Sequence, residues 1–300
     1  MASASHPLTR PTFNWRLRTR TLALGARTAI MAILNLTPDS FSDGGHYNTL
    51  TRATTRALQL LDHGADILDL GGESTRPNAI PITPEEEQSR VLPVLEEILH
   101  HRPEAILSVD TFHASTARRA LEAGAEIVND VSGFTWDPHM AAACATQPCG
   151  VVLTHTRGRP QDWTSLPALP PAEILPAVLT GLRDSLQTAE SAGIASDRIV
   201  LDPGFGFGKR GPENYTLLAH LAELHQLHLP ILSGTSRKGF LGRALAHFHH
   251  HLAAPADARI LASQAANVAA ILAGAHLLRV HDVCAARESV TIADAILANA

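Results

Sequence analysis

The chain has 300 residues, 45% of them hydrophobic, and a formal net charge of -5. That is apolar material for one large core, and the acidic balance argues against a nucleic-acid-binding surface. No apolar run approaches the roughly twenty residues needed to cross a bilayer, and Cys144, Cys149 and Cys284 follow neither a metal-binding nor a CxxC spacing, which suits a reducing, cytoplasmic setting.

Residues 1–12 read as a flexible tail and residues 13–300 as a single domain. Arg10, Arg16, Arg18, Arg20 and Arg27 precede the first acidic residue, Asp39, which is the composition of a transit peptide. Against that reading, Phe13, Trp15 and Leu17 alternate with polar residues, and Leu24, Gly25 and Ala26 turn the chain before Thr28. Alternation would be wasted on a discarded segment, so a β-hairpin is expected.

From there a unit of strand, polar loop and helix repeats. Residues 28–36 (TAIMAILNL) form an apolar strand that delivers Asn35 to a polar, glycine-closed loop, and residues 49–63 have helical spacing. The next strand, residues 65–70, runs into Gly71-Gly72-Glu73-Ser74-Thr75-Arg76-Pro77. Thr83, Pro84, Glu85 and Glu86 place a cap, a first-turn proline and acids at the start of a helix that reaches about His101. Further strands end at Asp110, at Asn129 and Asp130, and at Thr154-His155-Thr156-Arg157. A helix after residue 171 runs through Ala192.

The sixth strand opens the most informative stretch, residues 199–209 (IVLDPGFGFGK), in which a short apolar run delivers Asp202 to a loop of alternating glycine and phenylalanine. Gly204, Gly206 and Gly208 are expected to let the backbone approach a ligand. Phe205 and Phe207 would supply flat apolar walls and Lys209 a charge, a combination suited to a planar polar heterocycle. Residues 213–226 read as a helix, residues 230–232 as a strand leading to Ser236-Arg237-Lys238, and residues 256–273 as an alanine-rich helix. The eighth strand, residues 276–280, puts Arg279 and His281 on one side at period two.

Eight such units predict an α/β fold, a (β/α)8 TIM barrel with an N-terminal β-hairpin, whose active site lies at the C-terminal ends of the strands. The tract His247, His249, His250 and His251 has no cysteine or acid at ligand spacing and reads as a solvated helix end or loop. The strand-end residues divide by chemistry. Asp110, Asn129, Asp202 and Lys238 supply acceptors, an amide and a cation, and an inward carboxylate suits the paired N–H edge of a 2-aminopyrimidinone. Asn35, Thr75, Arg76, Arg279 and His281 form an anion site, suited to phosphate or pyrophosphate.

Seven segments in order carry a family resemblance: residues 31–45 (MAILNLTPDSFSDGG), 67–77 (ILDLGGESTRP), 108–111 (SVDT), 127–133 (IVNDVSG), 201–209 (LDPGFGFGK), 233–242 (SGTSRKGFLG) and 279–283 (RVHDV). With them the chain resembles the dihydropteroate synthases over nearly all its length from Phe13. That family condenses 6-hydroxymethyl-7,8-dihydropterin diphosphate with 4-aminobenzoate, giving 7,8-dihydropteroate and pyrophosphate on the route to folate.

The resemblance implies that Asp110, Asn129, Asp202 and Lys238 hold the pterin. Asn35, Thr75, Arg76, Arg279 and His281 would hold the diphosphate, with magnesium (Mg2+) at Asn35. Thr75, Pro77, Phe207, Lys238 and Gly239 would form the 4-aminobenzoate pocket, and Asp110, Lys238, Arg76 and Asp39 would carry the catalysis. It also implies a homodimer. Four positions depart from the family pattern: Thr154 and Thr156 flank His155 where methionines are common, Asn78 follows Pro77 where glycine is usual, and Gly239 follows Lys238 where serine is common. The rival readings are a methyltransferase that passes a methyl group from methyltetrahydrofolate to a corrinoid, and a non-catalytic pterin binder. The first leaves the segment TPDSFSDGG unexplained, and the second is opposed by the presence of Asn35, Asp110 and Lys238.

Overall fold

The computed structural model describes residues 10–37, 46–75, 79–250 and 252–300. A two-stranded antiparallel hairpin, β1 (Phe13–Arg16) and β2 (Thr21–Leu24), leads the chain, with Phe13 opposite Leu24 and Arg16 opposite Thr21. Its turn sits at residues 17–20, where the Leu17 N–H donates to the Arg20 carbonyl at 2.8 Å. Gly25 instead ends the second strand, with φ of 109°, a value that side chains rarely adopt.

The barrel follows as β3 (Ala29–Asn35), α1 (His46–Asp62), β4 (Ile67–Gly71), α2 (Pro84–His101), β5 (Leu107–Asp110), α3 (Ala114–Glu122), β6 (Ile127–Asp130), α4 (Met140–Thr146) and β7 (Gly150–Thr154). It continues as α5 (Pro171–Ser191), β8 (Ile199–Asp202), α6 (Gly211–Ala219), β9 (Leu232–Ser233), α7 (Gly239–Ala244), α8 (Ile260–Leu272), β10 (Leu277–Val280) and α9 (Val283–Ala298). The eight barrel strands pair in parallel in chain order, β10 returns to pair with β3, and a bridge between Leu201 and Ile231 joins the remaining edges. This is the (β/α)8 barrel expected from the repeat. Two expected helices break. The helix expected over residues 213–226 ends at Ala219 and continues as a 3-10 turn over Leu221–Leu227, while α8 is preceded by a 3-10 turn over Asp257–Arg259.

Period two organises the barrel. Ile30, Ala32, Leu34, Leu68, Leu70, Val128, Val151, Leu201 and Leu278 face the helices, in one continuous apolar cluster. The opposite parity, Ala29, Met31, Ile67, Ile127, Val152, Val200, Leu232 and Leu277, fills the barrel's lower interior together with Trp15, Leu17 and Leu24 of the hairpin. The hairpin therefore plugs the floor. Trp15 is buried and its Nε1 donates to the Arg198 carbonyl at 2.8 Å. Arg10, placed by the sequence reading in the tail, is ion-paired with Asp294 at 3.0 Å and hydrogen-bonded to the Ala275 carbonyl.

One step further along the same parity, the inward residues turn polar: Asn35, Asp69, Asp110, Asn129, Thr154, Asp202 and Arg279. An apolar floor below a polar layer makes the C-terminal mouth the place for chemistry. Among the described residues no helix is long and apolar enough to cross a membrane.

Candidate active site at the barrel mouth

The centre of the mouth is an ionic triad. Arg279 donates through Nε to Asp69 at 2.6 Å and through Nη2 to Asp110 at 2.6 Å, while Asn129 donates to the same Asp69 oxygen at 2.9 Å. Asp69 is fully buried and its Oδ1 has no hydrogen-bond partner. Burial pushes the Asp110 carboxyl up to about 7, against the opposing pull of Arg279, with Asp69 adding repulsion. Arg279 itself is held well above its ordinary value: the two carboxylates outweigh the effect of burial, which acts the other way.

Arg279 of the expected anion group bonds directly to Asp110 of the expected pterin group, so the two groups adjoin at the mouth. Asp69, which the sequence reading passed over inside ILDLGG, joins them. Its signal was available: it lies two residues after inward-facing Ile67.

Asp202 ends β8 beside this triad, 4% exposed, with Oδ1 accepting the Gly204 N–H at 2.7 Å. Burial raises its pKa, while the Gly204 N–H and Lys238 oppose the shift. Lys238 lies with its Nζ 3.7 Å from the centre of the Phe207 ring, a cation–π contact. Burial lowers its pKa to about 8, partly countered by Asp202. Asp110, Asn129, Asp202, Lys238, Phe207 and Arg279 are thus gathered in one mouth.

The glycine and phenylalanine loop behaves differently from expectation. Phe205 is fully buried against Phe240, with ring centres 6.3 Å apart, and only Phe207 of the pair turns to the site. Lys209 is buried as well, its Nζ donating to the carbonyls of Gly204 at 2.8 Å, His155 at 3.2 Å and Phe207 at 3.4 Å. It ties the loop together and offers no charge to a ligand. Gly204 has φ of 69°, and a Cβ there would run into the His155 carbonyl oxygen, so this glycine serves packing within the protein.

Asn35 and His281 line a cavity of about 500 Å³ with Arg52, Arg56 and Arg237. His281 Nδ1 lies 3.1 Å from the Ser236 hydroxyl. Burial, then Arg279 and Arg237, lower its pKa to about 3. Arg237 is engaged by Asp282 at 2.6 and 2.9 Å. Thr75 lines a second cavity of about 150 Å³ with Glu73, Phe112, His113 and Trp136. Asp39, Arg76 and Pro77, and with them Asn78, lie outside the described residues.

Gly239 is the first residue of α7, behind Lys238 at the cap. The left-handed residue of this turn is Arg237, with φ of 56°, and a Cβ on Gly239 would meet Arg243 at an ordinary 3.5 Å.

Comparison with known proteins agrees with this geometry. Residues 31–281 match the family model described as pterin binding enzyme. Dihydropteroate synthase of Escherichia coli strain K12 is 41% identical over 268 residues, covering 89% of this chain and 91% of that one. A Xanthomonas albilineans dihydropteroate synthase solved with 4-aminobenzoic acid superposes with a TM-score of 0.84 at 40% identity, over 97% of this chain and 99% of the other. The Clostridium difficile enzyme, solved in the presence of pteroic acid, gives a TM-score of 0.83 at 38% identity over 91% and 98%. With its barrel closed, its mouth lined by acids and an arginine, and its similarity extending over nine tenths of the chain, this protein belongs to the dihydropteroate synthase family of pterin binding enzymes.

Proposed function

We propose that the protein condenses 6-hydroxymethyl-7,8-dihydropterin diphosphate with 4-aminobenzoate, releasing pyrophosphate, with the reacting carbon held above the Asp69–Arg279–Asp110 triad. The observation that carries the reading is the convergence of Asp202, Asp110, Asn129 and Lys238 on one mouth with the basic Asn35–His281 cavity beside it. Asp202 accepts from the amino-pyrimidine edge of the pterin, Asn129 and Asp110 bond further ring positions, and Lys238 donates to the ring's carbonyl and nitrogen. Phe207 under Lys238 gives the arylamine an apolar wall.

Asn35, His281 and the N–H groups of Arg279 not used by Asp69 and Asp110 face the diphosphate. Thr75 and Arg76 complete that set, and Thr75, Pro77 and Gly239 complete the 4-aminobenzoate pocket. As the methylene C–O bond breaks, electrons leave with the diphosphate and positive charge grows on the pterin methylene. Asp110 stabilises that charge, and the arylamine nitrogen forms the new C–N bond through its lone pair and loses its extra proton to solvent. Asp39 and Arg76 belong to this step in the family reading.

Magnesium fits the donor chemistry. Asn35 and Gln59 bring side-chain amides to a cavity whose other polar lining is hydroxyl, guanidinium and imidazole, and Mg2+ is held through few protein oxygens with substrate phosphate and water supplying the rest. When bound there, it neutralises charge developing on the leaving diphosphate. The reading also carries a homodimer and a cytoplasmic location. Exposed Leu261 on α8 and Ile292 and Ile296 on α9 offer apolar surface to a second copy, and the three cysteines are all unpaired, in keeping with a reducing compartment.

The pH profile tests the reading. Asp110 must be ionised to accept, so kcat/KM rises with pH through about 7; Lys238 must be protonated to donate, so it falls through about 8. A coupled pyrophosphate-release assay should give a narrow bell. Asp110→Asn should remove the acid limb from whatever activity remains, and a profile flat from about pH 6 to about pH 9 rejects these roles.

Gly239→Ser tests the second pocket. The serine enters without backbone strain and adds a hydroxyl beside the aminobenzoate carboxylate, worth about 1 kcal/mol. The KM for 4-aminobenzoate should fall several-fold with that for the pterin substrate unchanged. A rise in both constants, or no change in either, removes Gly239 from the pocket.

A further inference from the structure

We propose that Glu73, Glu87 and His113 form a second metal site, for a divalent cation of the zinc class, outside the diphosphate cavity. The three come from separate elements: Glu73 from the loop after β4, Glu87 from the first turn of α2, and His113 from the cap of α3 after β5. One ligand atom from each lies within 4.8 Å of the others. His113 Nδ1 stands 3.1 Å from Glu87 Oε2 and 3.8 Å from Glu73 Oε2, spacings near those between neighbouring ligands of a small cation.

The carboxylates carry a second, independent signal. The Glu73 side chain is 8% exposed and that of Glu87 1% exposed. Glu73 Oε2, directed at His113, and Glu87 Oε1 are both buried without a hydrogen-bond partner. Buried polar atoms are normally satisfied, and an unpartnered carboxylate oxygen is costly to retain. A protonated His113 would balance one of the two carboxylates, whereas a dication balances both.

The ligand set selects the ion. One imidazole and two carboxylates suit Zn2+ or a neighbouring transition metal, whereas Mg2+ prefers an all-oxygen shell and keeps its waters. A fourth position opens to the 150 Å³ cavity shared with Thr75. A cation there would pin the loop that carries Thr75 to α2 and to the start of α3. None of this depends on the proposed reaction, since the test reads zinc binding alone.

The full-length protein, stripped with chelator, is titrated with ZnCl2 by calorimetry in excess Mg2+, alongside Glu73→Gln, His113→Gln and, as a control for the histidine tract, His249→Gln. Wild type and His249→Gln should bind one equivalent. Both ligand variants should lose at least about ten-fold in affinity and the zinc-induced rise in Tm. Circular dichroism checks the fold of each variant. Should a variant not fold, Co2+ in the wild type decides, an intense four-coordinate d–d spectrum supporting the site and a weak six-coordinate one rejecting it. Unchanged zinc affinity in both ligand variants, loss only in His249→Gln, or no zinc binding by the wild type overturns the proposal.

Discussion

Arg279→Met is expected to destabilise the protein by about 3–5 kcal/mol at pH 8, the cost of stranding buried charges whose partner is removed. Asp69 is fully buried and Asp110 largely so, and the guanidinium between them donates to each at 2.6 Å. Without it two carboxylates face one another. Part of the cost is relieved by protonation, since burial already holds the Asp110 carboxyl up at about 7 and loss of Arg279 raises it further. An acid whose folded pKa exceeds its unfolded value makes the folded state bind more protons, so stability falls as pH rises toward the folded pKa. The deficit of the variant should therefore be larger at pH 8 than at pH 6. Urea midpoints at the two pH values measure it, and adding Asp69→Asn should recover part of the loss by removing one stranded charge. A deficit below about 1 kcal/mol at pH 8 would mean that the triad does not hold the mouth together.

Asp202→Asn is expected to cost about a hundred-fold or more in pterin affinity while leaving the protein folded. One carboxylate oxygen accepts the Gly204 N–H at 2.7 Å, a bond the amide oxygen of asparagine retains. The other oxygen becomes an NH2 group, which points a donor at the donor edge of the pterin. Losing a charge-assisted bond costs about 1.5–3 kcal/mol and an unsatisfied donor about 1–3 more. Calorimetry with a pterin ligand reads the loss, and unchanged affinity would take Asp202 out of the site.

The barrel, its floor and the identity of most mouth residues are legible in the amino-acid sequence. Alternation within a strand assigns each residue to a face, and strand-end position assigns the polar ones to the C-terminal rim. Asp110, Asn129, Asp202 and Arg279 follow from those two rules, and Asp69 follows as well once the alternation is carried two residues on from Ile67. The hairpin is legible for the same reason, because Trp15 and Leu17 repeat the period that the barrel floor uses.

Tertiary structure alone decided which of these groups share a charge and which loop side chains reach the site. Parity does not operate in a loop, so the contrast between buried Phe205 and site-facing Phe207, and the capture of Lys209 by three backbone carbonyls, depend on how the loop folds against His155 and Phe240. The meeting of Arg279 with Asp69 and Asp110 depends on closure of the barrel, which pairs β10 with β3 and carries its guanidinium across the mouth. Glu73, Glu87 and His113 lie on a loop, a helix and a cap with no common period. Local spacing reports the face of one element, whereas a contact between elements is set by how the elements pack, and no repeat in the chain records that.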